Sequence, residues 1–497
     1  MTSPMTQRSI MPPMSKVTKR RHTQSTGLQH LPQEILLMIS VCLPLLDLVA
    51  LSHVCRMLWH LFRDDLLWRT LYWSTKIVRP PGPLPSQRAQ DLRKILISSA
   101  RVAASWPPIT RNVQFERSST ASTVDPSDYC FLLKGRWLIA ANSSIACYYD
   151  LWEKPRPRPT LFYKPHLMAK FFRCINTTNL NGDPLTFLVT ETQVGNQLRR
   201  VNVCRVAVDD YSGPVVEQLL HYDLSPSHPG IADVVIGACL MVIKPKSHYV
   251  RVQPMIYDFK LLKPRKLAPL PSDYQQYSTF YHADYIMTKS YLLILYSFLK
   301  HSREVETILL AYPISPPGPT DDHPLLSYSH FTKLDSTVLT NLHVMSDDSS
   351  ISGITKITLI GRKGSNCRGD DAMLTALRLT LDKGELGMYE MYAPTYELID
   401  LLPIPAEQGW WLEAGPEECG RGVYNTKSGG IVVFSIDSDD GRIQGHAADP
   451  LPIPGGIFKQ TAMAFDGYRG LLCVKVQNQV RNIHLELWSL TGTSSVR

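Results

Sequence analysis

Cys42, His53, Cys55 and His60 are residues of the kinds that hold zinc, and they fall close together in the chain. Two residues apart on a helix, however, His53 and Cys55 point to different sides. Core packing and a surface His explain the set better than a metal site. Asp437-x-Asp439-Asp440-Gly441 has the carboxylate spacing of a calcium loop, but its Gly falls one position early and no Glu closes the loop. An Asp-Gly hairpin turn fits it better. The chain has no GxSxG, HExxH, GxxxxGK[ST] or GxGxxG. Trp410-Trp411, Tyr281, Tyr285 and Tyr291 could line a recognition surface, although buried aromatics are the default. No catalytic residue, metal ligand or cofactor is assigned.

The elements that would position such groups begin with Leu31 to Phe62, LPQEILLMISVCLPLLDLVALSHVCRMLWHLF. Leu31-Pro32 followed by Glu34 suits a helix start, because Pro is tolerated in the first turn and Glu34 sits at the positive end of the dipole. Ile35, Leu36, Ile39 and Leu43 recur at helical spacing, and Pro44 is expected to end that helix. Asp47 would open a second helix, with Leu48, Leu51 and Val54 on its buried side. Cys55, Leu58, Trp59 and Phe62 continue into a third, and Leu66, Leu67, Trp68 and Leu71 add a further apolar patch. Helices this short depend on tertiary contacts. Several apolar residues lie outside a single stripe, so one face can close a small core while another stays uncovered.

Leu31-Pro32-x-Glu34-Ile35-Leu36, Leu43-x-x-x-Asp47-Leu48, Leu51-Ser52-x-Val54-Cys55-Arg56 and Leu66-x-Trp68-Arg69 resemble the F-box motif in order and spacing. The resemblance covers residues 28–75. It implies binding to the Skp adaptor of an SCF-type cullin–RING ubiquitin ligase, with Leu31, Pro32, Glu34, Ile35, Leu36, Ile39, Leu43, Leu48, Leu51, Val54 and Leu58 as adaptor-binding candidates. Read from periodicity alone, the same helices would simply pack on the domain that follows.

Pro80-Pro81-Gly82-Pro83 and Pro85 mark a rigid break. Ala89 to Trp106 is helix-friendly, with Leu92, Ile95, Leu96, Val102 and Trp106 spaced for one buried face. From about Pro107 the texture changes to short β-rich runs, several of them paired: 135–141 with 145–152, 231–243 with 249–260, 284–297 with 305–312 and 462–476 with 483–490. Weaker pairs lie near 185–208, 354–380 and 421–436. Seven such units have the rhythm of propeller blades with loop insertions; a pair of β-sandwiches is the competing arrangement. Lys134 to Trp152 looks like a diverged WD-type blade, with Tyr149-Asp150 near the place of the Trp-Asp dipeptide and no Gly-His element. The layout is similar to fungal F-box proteins with a propeller-like C-terminal domain. The expected class is α+β multidomain: a disordered basic tail (1–27), an F-box helical unit (28–75), a Pro-rich linker and docking helix (76–106), and an all-β, seven-bladed propeller-like domain (107–497).

The formal net charge is +8, and its location matters more than its size. Residues 1–33 hold Arg8, Lys16, Lys19, Arg20 and Arg21 with no acidic residue, which accounts for +5 of it. The remainder is close to neutral, so no nucleic-acid partner is expected. No apolar h-region follows the basic start, and Ile35 to Leu51 is interrupted by Pro44 and Asp47, so neither a secretory signal nor a membrane association is predicted. Ten scattered cysteines fit a reducing compartment, cytoplasmic or nuclear. The resemblance then implies a substrate-recognition subunit, monomeric within its complex, that needs no catalytic residue and holds an unknown protein substrate through the β domain. The rivals are a propeller enzyme or ligand-binding protein capped by the helices, and an adaptor-binding scaffold outside the ubiquitin system.

Overall fold

The computed structural model describes residues 31–106 and 129–490, apart from short connecting stretches within them, of which 315–324 and 383–392 are the longest. The basic tail lies outside the described residues.

Five helices come first: α1 (Gln33–Val41), α2 (Leu45–Ser52), α3 (Arg56–Leu61), α4 (Asp65–Ser74) and α5 (Ala89–Ser105). Pro32 and Pro44 each stand just outside a helix start, their carbonyls accepting from Leu36 at 3.1 Å and Leu48 at 3.0 Å. The sequence places Pro44 at the end of α1 and starts the next helix at Asp47. The structure instead ends α1 at Val41 and makes Pro44 the cap of α2. The physical reason is that Pro disfavours helical geometry in the residue before it, while its own fixed φ suits the position that precedes a helix. Asp64 caps α4, accepting from the Leu66 amide at 2.7 Å. Leu36, Leu48, Leu58, Phe62, Trp68 and Leu71 share one core with Leu92, Leu96 and Ala100 of α5.

The rest is seven antiparallel sheets in chain order. Blade 1 is β1 (Tyr129–Leu133), β2 (Trp137–Ala141), β3 (Ala146–Asp150) and β4 (Thr160–Tyr163). Blade 2 is β5 (Ala169–Thr178), β6 (Pro184–Val194), β7 (Leu198–Asp209) and β8 (Gly213–Leu224). Blade 3 is β9 (Ile231–Ile236), β10 (Leu240–Pro245), β11 (Met255–Asp258) and β12 (Lys263–Leu267). A single-turn helix, α6 (Ser272–Gln275), leads to blade 4: β13 (His282–Met287), β14 (Tyr291–Leu299), β15 (Val305–Pro313) and β17 (His330–Leu334). The two-residue β16 (Leu325–Leu326) pairs in parallel with β12 and ties blade 4 to blade 3. Blade 5 is β18 (Val338–Ser349), β19 (Ile354–Gly364), β20 (Ala372–Asp382) and β21 (Thr395–Ile404). Blade 6 is β22 (Leu412–Ala414), β23 (Arg421–Asn425), β24 (Ile431–Asp439) and β25 (Arg442–Ala447). Blade 7 has three strands among the described residues: β26 (Ile457–Asp466), β27 (Leu471–Asn478) and β28 (Ile483–Ser489).

Seven apolar clusters close these sheets into a ring. Each joins one blade to the next, from Trp137 and Ile139 against Leu188 and Cys204 round to Cys130 and Leu138 against Cys473 and Leu485, which seal blade 7 to blade 1. The inner strands are therefore buried on both faces, and they read as near-continuous apolar runs.

That continuity explains where the expected strand pairs are too coarse. Residues 231–243, 284–297 and 462–476 each fold as two strands: the Gly237 amide donates to the Leu240 carbonyl at 2.9 Å to close the first reversal, and side chains close the other two. Thr288 Oγ1 accepts from the Tyr291 amide at 3.0 Å, and Asp466 Oδ1 accepts from the amides of Tyr468 and Arg469, both at 3.1 Å. Asp439 and Arg442 pair across β24 and β25; Asp440-Gly441 between them lie outside the described residues.

Gly420, just before β23, has φ +60°, and a Cβ there would stand 2.6 Å from the Ile436 carbonyl oxygen, which is backbone. Gly420→Ala is expected to cost about 1–3 kcal/mol of propeller stability. Urea unfolding followed by tryptophan fluorescence checks this, and an unchanged midpoint contradicts it.

On β15 of blade 4, Glu306 accepts from the Tyr274 hydroxyl of α6 and pairs with Lys300 and Lys333. Although burial opposes ionisation, the hydrogen bonds from Lys300, Tyr274 and Lys333 hold its carboxyl down at about 2. A depressed carboxylate stabilises the fold above its unfolded value, and that stability is lost as pH falls through the folded one. Glu306→Gln should therefore lower the melting temperature at pH 6 and lower it less as pH falls below 4 toward 2. A pH series of thermal melts decides it.

Candidate partner-binding surface

Helices α1 to α4 are each only six to ten residues long, and their apolar residues divide between two faces. In α1, Leu36 points inward while Ile35, Met38 and Ile39, spaced i, i+3, i+4, share the outer side. Trp68 anchors the inner side: it is buried, and its Nε1 donates to the Phe62 carbonyl at 2.8 Å.

Of the eleven adaptor-binding candidates, Leu31, Pro32, Glu34, Ile35, Ile39 and Val54 are exposed, Ile35 at 42% and Val54 at 70%. Leu43 and Leu51 are half-buried. Leu36, Leu48 and Leu58 lie in the helical core, beneath the exposed candidates rather than beside them.

Five further apolar side chains on these helices are exposed: Met38, Leu46 and Trp73, which spacing did not single out, the last at 71%, and Trp59 and Leu66, which it placed in the third helix and the patch after it. Trp59 lies under the Arg63 guanidinium at 3.6 Å. Among the described residues, nine of the sixteen exposed large hydrophobics fall between Leu31 and Trp73. Monomeric surfaces scatter such residues singly, and a concentration of them marks an interaction surface. Burying one aliphatic side chain yields about 1.5–3 kcal/mol, so a few anchors suffice for firm association.

The remaining candidates sort by position. Cys42 is exposed and Cys55 half-buried at the start of α3, and no group of three His, Cys, Asp or Glu among the described residues is arranged to hold a metal ion. Tyr285 and Tyr291 are core residues; Trp410, Trp411 and Tyr281 lie outside the described residues. Asp150, at the end of β3, takes a forked ion pair from Arg136, with Nη2 at 2.7 Å. No helix among the described residues is long and apolar enough to cross a membrane.

The helical unit is seated on one end of the propeller. Beyond α5, the Trp106 ring packs 5.9 Å from Phe465 of blade 7 and under the Arg421 guanidinium of blade 6, which lies 5.2 Å from its centroid. Arg421 donates onward to the Gly467 carbonyl at 3.0 Å. Gly467 lies in the turn between the first and second strands of its blade, and Arg421 begins a second strand. In four-stranded up-and-down sheets all such turns sit at one end of the ring.

Comparison with known proteins bears on the helical part. A model of an F-box-like domain matches residues 28–74. No curated protein matches the chain. Among solved structures it is similar to the WD40 domain of SCAP from fission yeast, at 9% identity and TM-score 0.40, covering 72% of this chain and 80% of that one. It is also similar to puromycin hydrolase, at 12% identity and TM-score 0.37, covering 75% and 53%, and to the AfRom2 CNH domain, at 9% and 0.29, covering 67% and 83%. The ring of seven sheets is read from its own strand pairing and closure clusters. Residues 28–74 are an F-box-like domain, and a seven-bladed β-propeller follows it.

Proposed function

We propose that this protein is the substrate-recognition subunit of an SCF-type cullin–RING ubiquitin ligase. Its helical unit binds the Skp adaptor and its propeller holds a target protein. The observation that carries the reading is the F-box-like match falling on the same residues that hold most of the exposed apolar side chains. Amphipathic helices with an uncovered face seek a partner's groove. The adaptor contacts are assigned to Leu31, Pro32, Glu34, Ile35, Ile39 and Val54, joined by Met38 and Leu46. Leu43 and Leu51 line their edge, and Leu36, Leu48 and Leu58 hold the surface in shape from beneath.

The chain itself is non-catalytic in this reading. It raises the effective concentration of target lysines beside a charged conjugating enzyme, in the cytoplasm or nucleus where that machinery works. Co-purification from cells tests it: the tagged chain should recover both the adaptor and a cullin. Recovery of the adaptor without a cullin would make it a scaffold outside the ubiquitin system.

A further inference from the structure

Two of the cysteines meet in the core at the point where the ring closes. Cys130 lies on β1 opposite Ala140, and Cys473 lies on β27 with Ala464 and Leu487 opposite it on the flanking strands. Both are buried, and their thiols are hydrogen-bonded to each other. Ala140 and Ala464 belong to the same apolar cluster, so the side chains beside the two sulfurs are small. The inner strands β1 and β26 lie in contact along this seam.

The seam differs from the other junctions of the ring. Blades 1 to 6 each run on into the next blade through the chain itself, whereas blades 7 and 1 are neighbours in space alone, and the packing of this cluster holds them together. A separation there is not limited by a connecting loop. The seam is therefore the place for the ring to open.

We propose that Cys130 and Cys473 form a reversible disulfide that locks blade 7 to blade 1 under oxidising conditions, with hydrogen peroxide as the oxidant. One thiolate attacks a peroxide oxygen, the O–O bond breaks, and the released hydroxide takes up a proton to leave as water. The sulfenic acid so formed is attacked by the second sulfur. The S–S bond forms as the S–O bond breaks, and the second thiol's proton leaves with that hydroxide as water. The sulfur pair is oxidised by two electrons and the peroxide is reduced to two waters; a dithiol reverses the bond by exchange.

The closed seam guards the pair. The hydrogen bond with Cys130, and then burial, hold the Cys473 thiol well above its ordinary range, and the thiolate is the reacting form. Oxidation therefore proceeds through the opened seam, and reclosure brings the second sulfur onto the first. The bond closes a loop that spans almost the whole propeller, and cross-links over long loops restrict the unfolded chain most.

Peptide mapping of the full-length protein tests this, after peroxide treatment, denaturation and alkylation with iodoacetamide under non-reducing conditions. A linked Cys130–Cys473 peptide pair is expected, and it should disappear on treatment with dithiothreitol. The melting temperature of the propeller should rise with the link by about 5 °C and fall back on reduction. Cys130→Ala should remove both the link and the rise, whereas Cys174→Ala, which changes a buried thiol of another cluster, should keep both. The map of the wild type decides the matter even where a variant folds poorly. The inference is overturned if both thiols are recovered alkylated, if they are oxidised singly to sulfinic acid, if either is linked to another cysteine, or if the link forms without raising the melt.

Discussion

Ile35→Glu combined with Val54→Glu should abolish capture of the Skp adaptor and leave the thermal melt of the protein unchanged. Both side chains are exposed and make no part of the helical core, so the folded unit loses nothing when they change. In a complex they would be buried, and each new carboxylate would then have to be desolvated without a partner. Two central anchors lost at about 1.4 kcal/mol or more apiece weaken binding at least about 100-fold. Surface plasmon resonance with immobilised adaptor measures this. Retained affinity would show that the partner sits on another face, with Leu66 and Trp73 the next residues to change.

Trp68→Ala should do the opposite, acting on stability before it acts on binding. The indole is buried in the core that also holds Leu36, Leu71, Leu92 and Leu96, and it satisfies the Phe62 carbonyl. Removing it leaves a cavity and an unanswered acceptor, a loss of about 3–5 kcal/mol. A unit of short helices has little stability to spare. Two transitions are expected on heating, an early loss of helical circular dichroism at 222 nm and a later melt of the propeller, whose seven closure clusters Trp68 does not touch. A single transition at the wild-type temperature would contradict this account of the helical core.

Much of this was legible in the sequence, for different reasons in each part. The helical unit could be read because its order depends on residues with few substitutes: Pro32 and Glu34 at a helix start, Asp47 in a first turn, Trp68 in the core. What could not be read was inside from outside. In α1 both Leu36 and Ile35 are aliphatic, and only the packed fold shows that Leu36 joins the core with Trp68 while Ile35 faces outward. The same ambiguity hid Met38, Leu46 and Trp73.

In the propeller, each of the seven expected pairs falls within a different blade. The inner strands announce themselves by continuous burial, as in Tyr291–Leu299. Outer strands such as Thr395–Ile404 alternate between half-buried and exposed positions, which weakens their pattern. Tight reversals closed by Thr288 or Asp466 leave no Pro or Gly cluster long enough to break an apolar run.

The most direct measurement is isothermal titration of the purified full-length protein with purified Skp adaptor. The account predicts a saturable one-to-one complex with a negative heat-capacity change, as burial of apolar surface requires, and loss of that heat with the Ile35→Glu, Val54→Glu variant. No heat and no complex for a wild-type protein that melts cooperatively would contradict it, and the helices would then be a cap for the propeller.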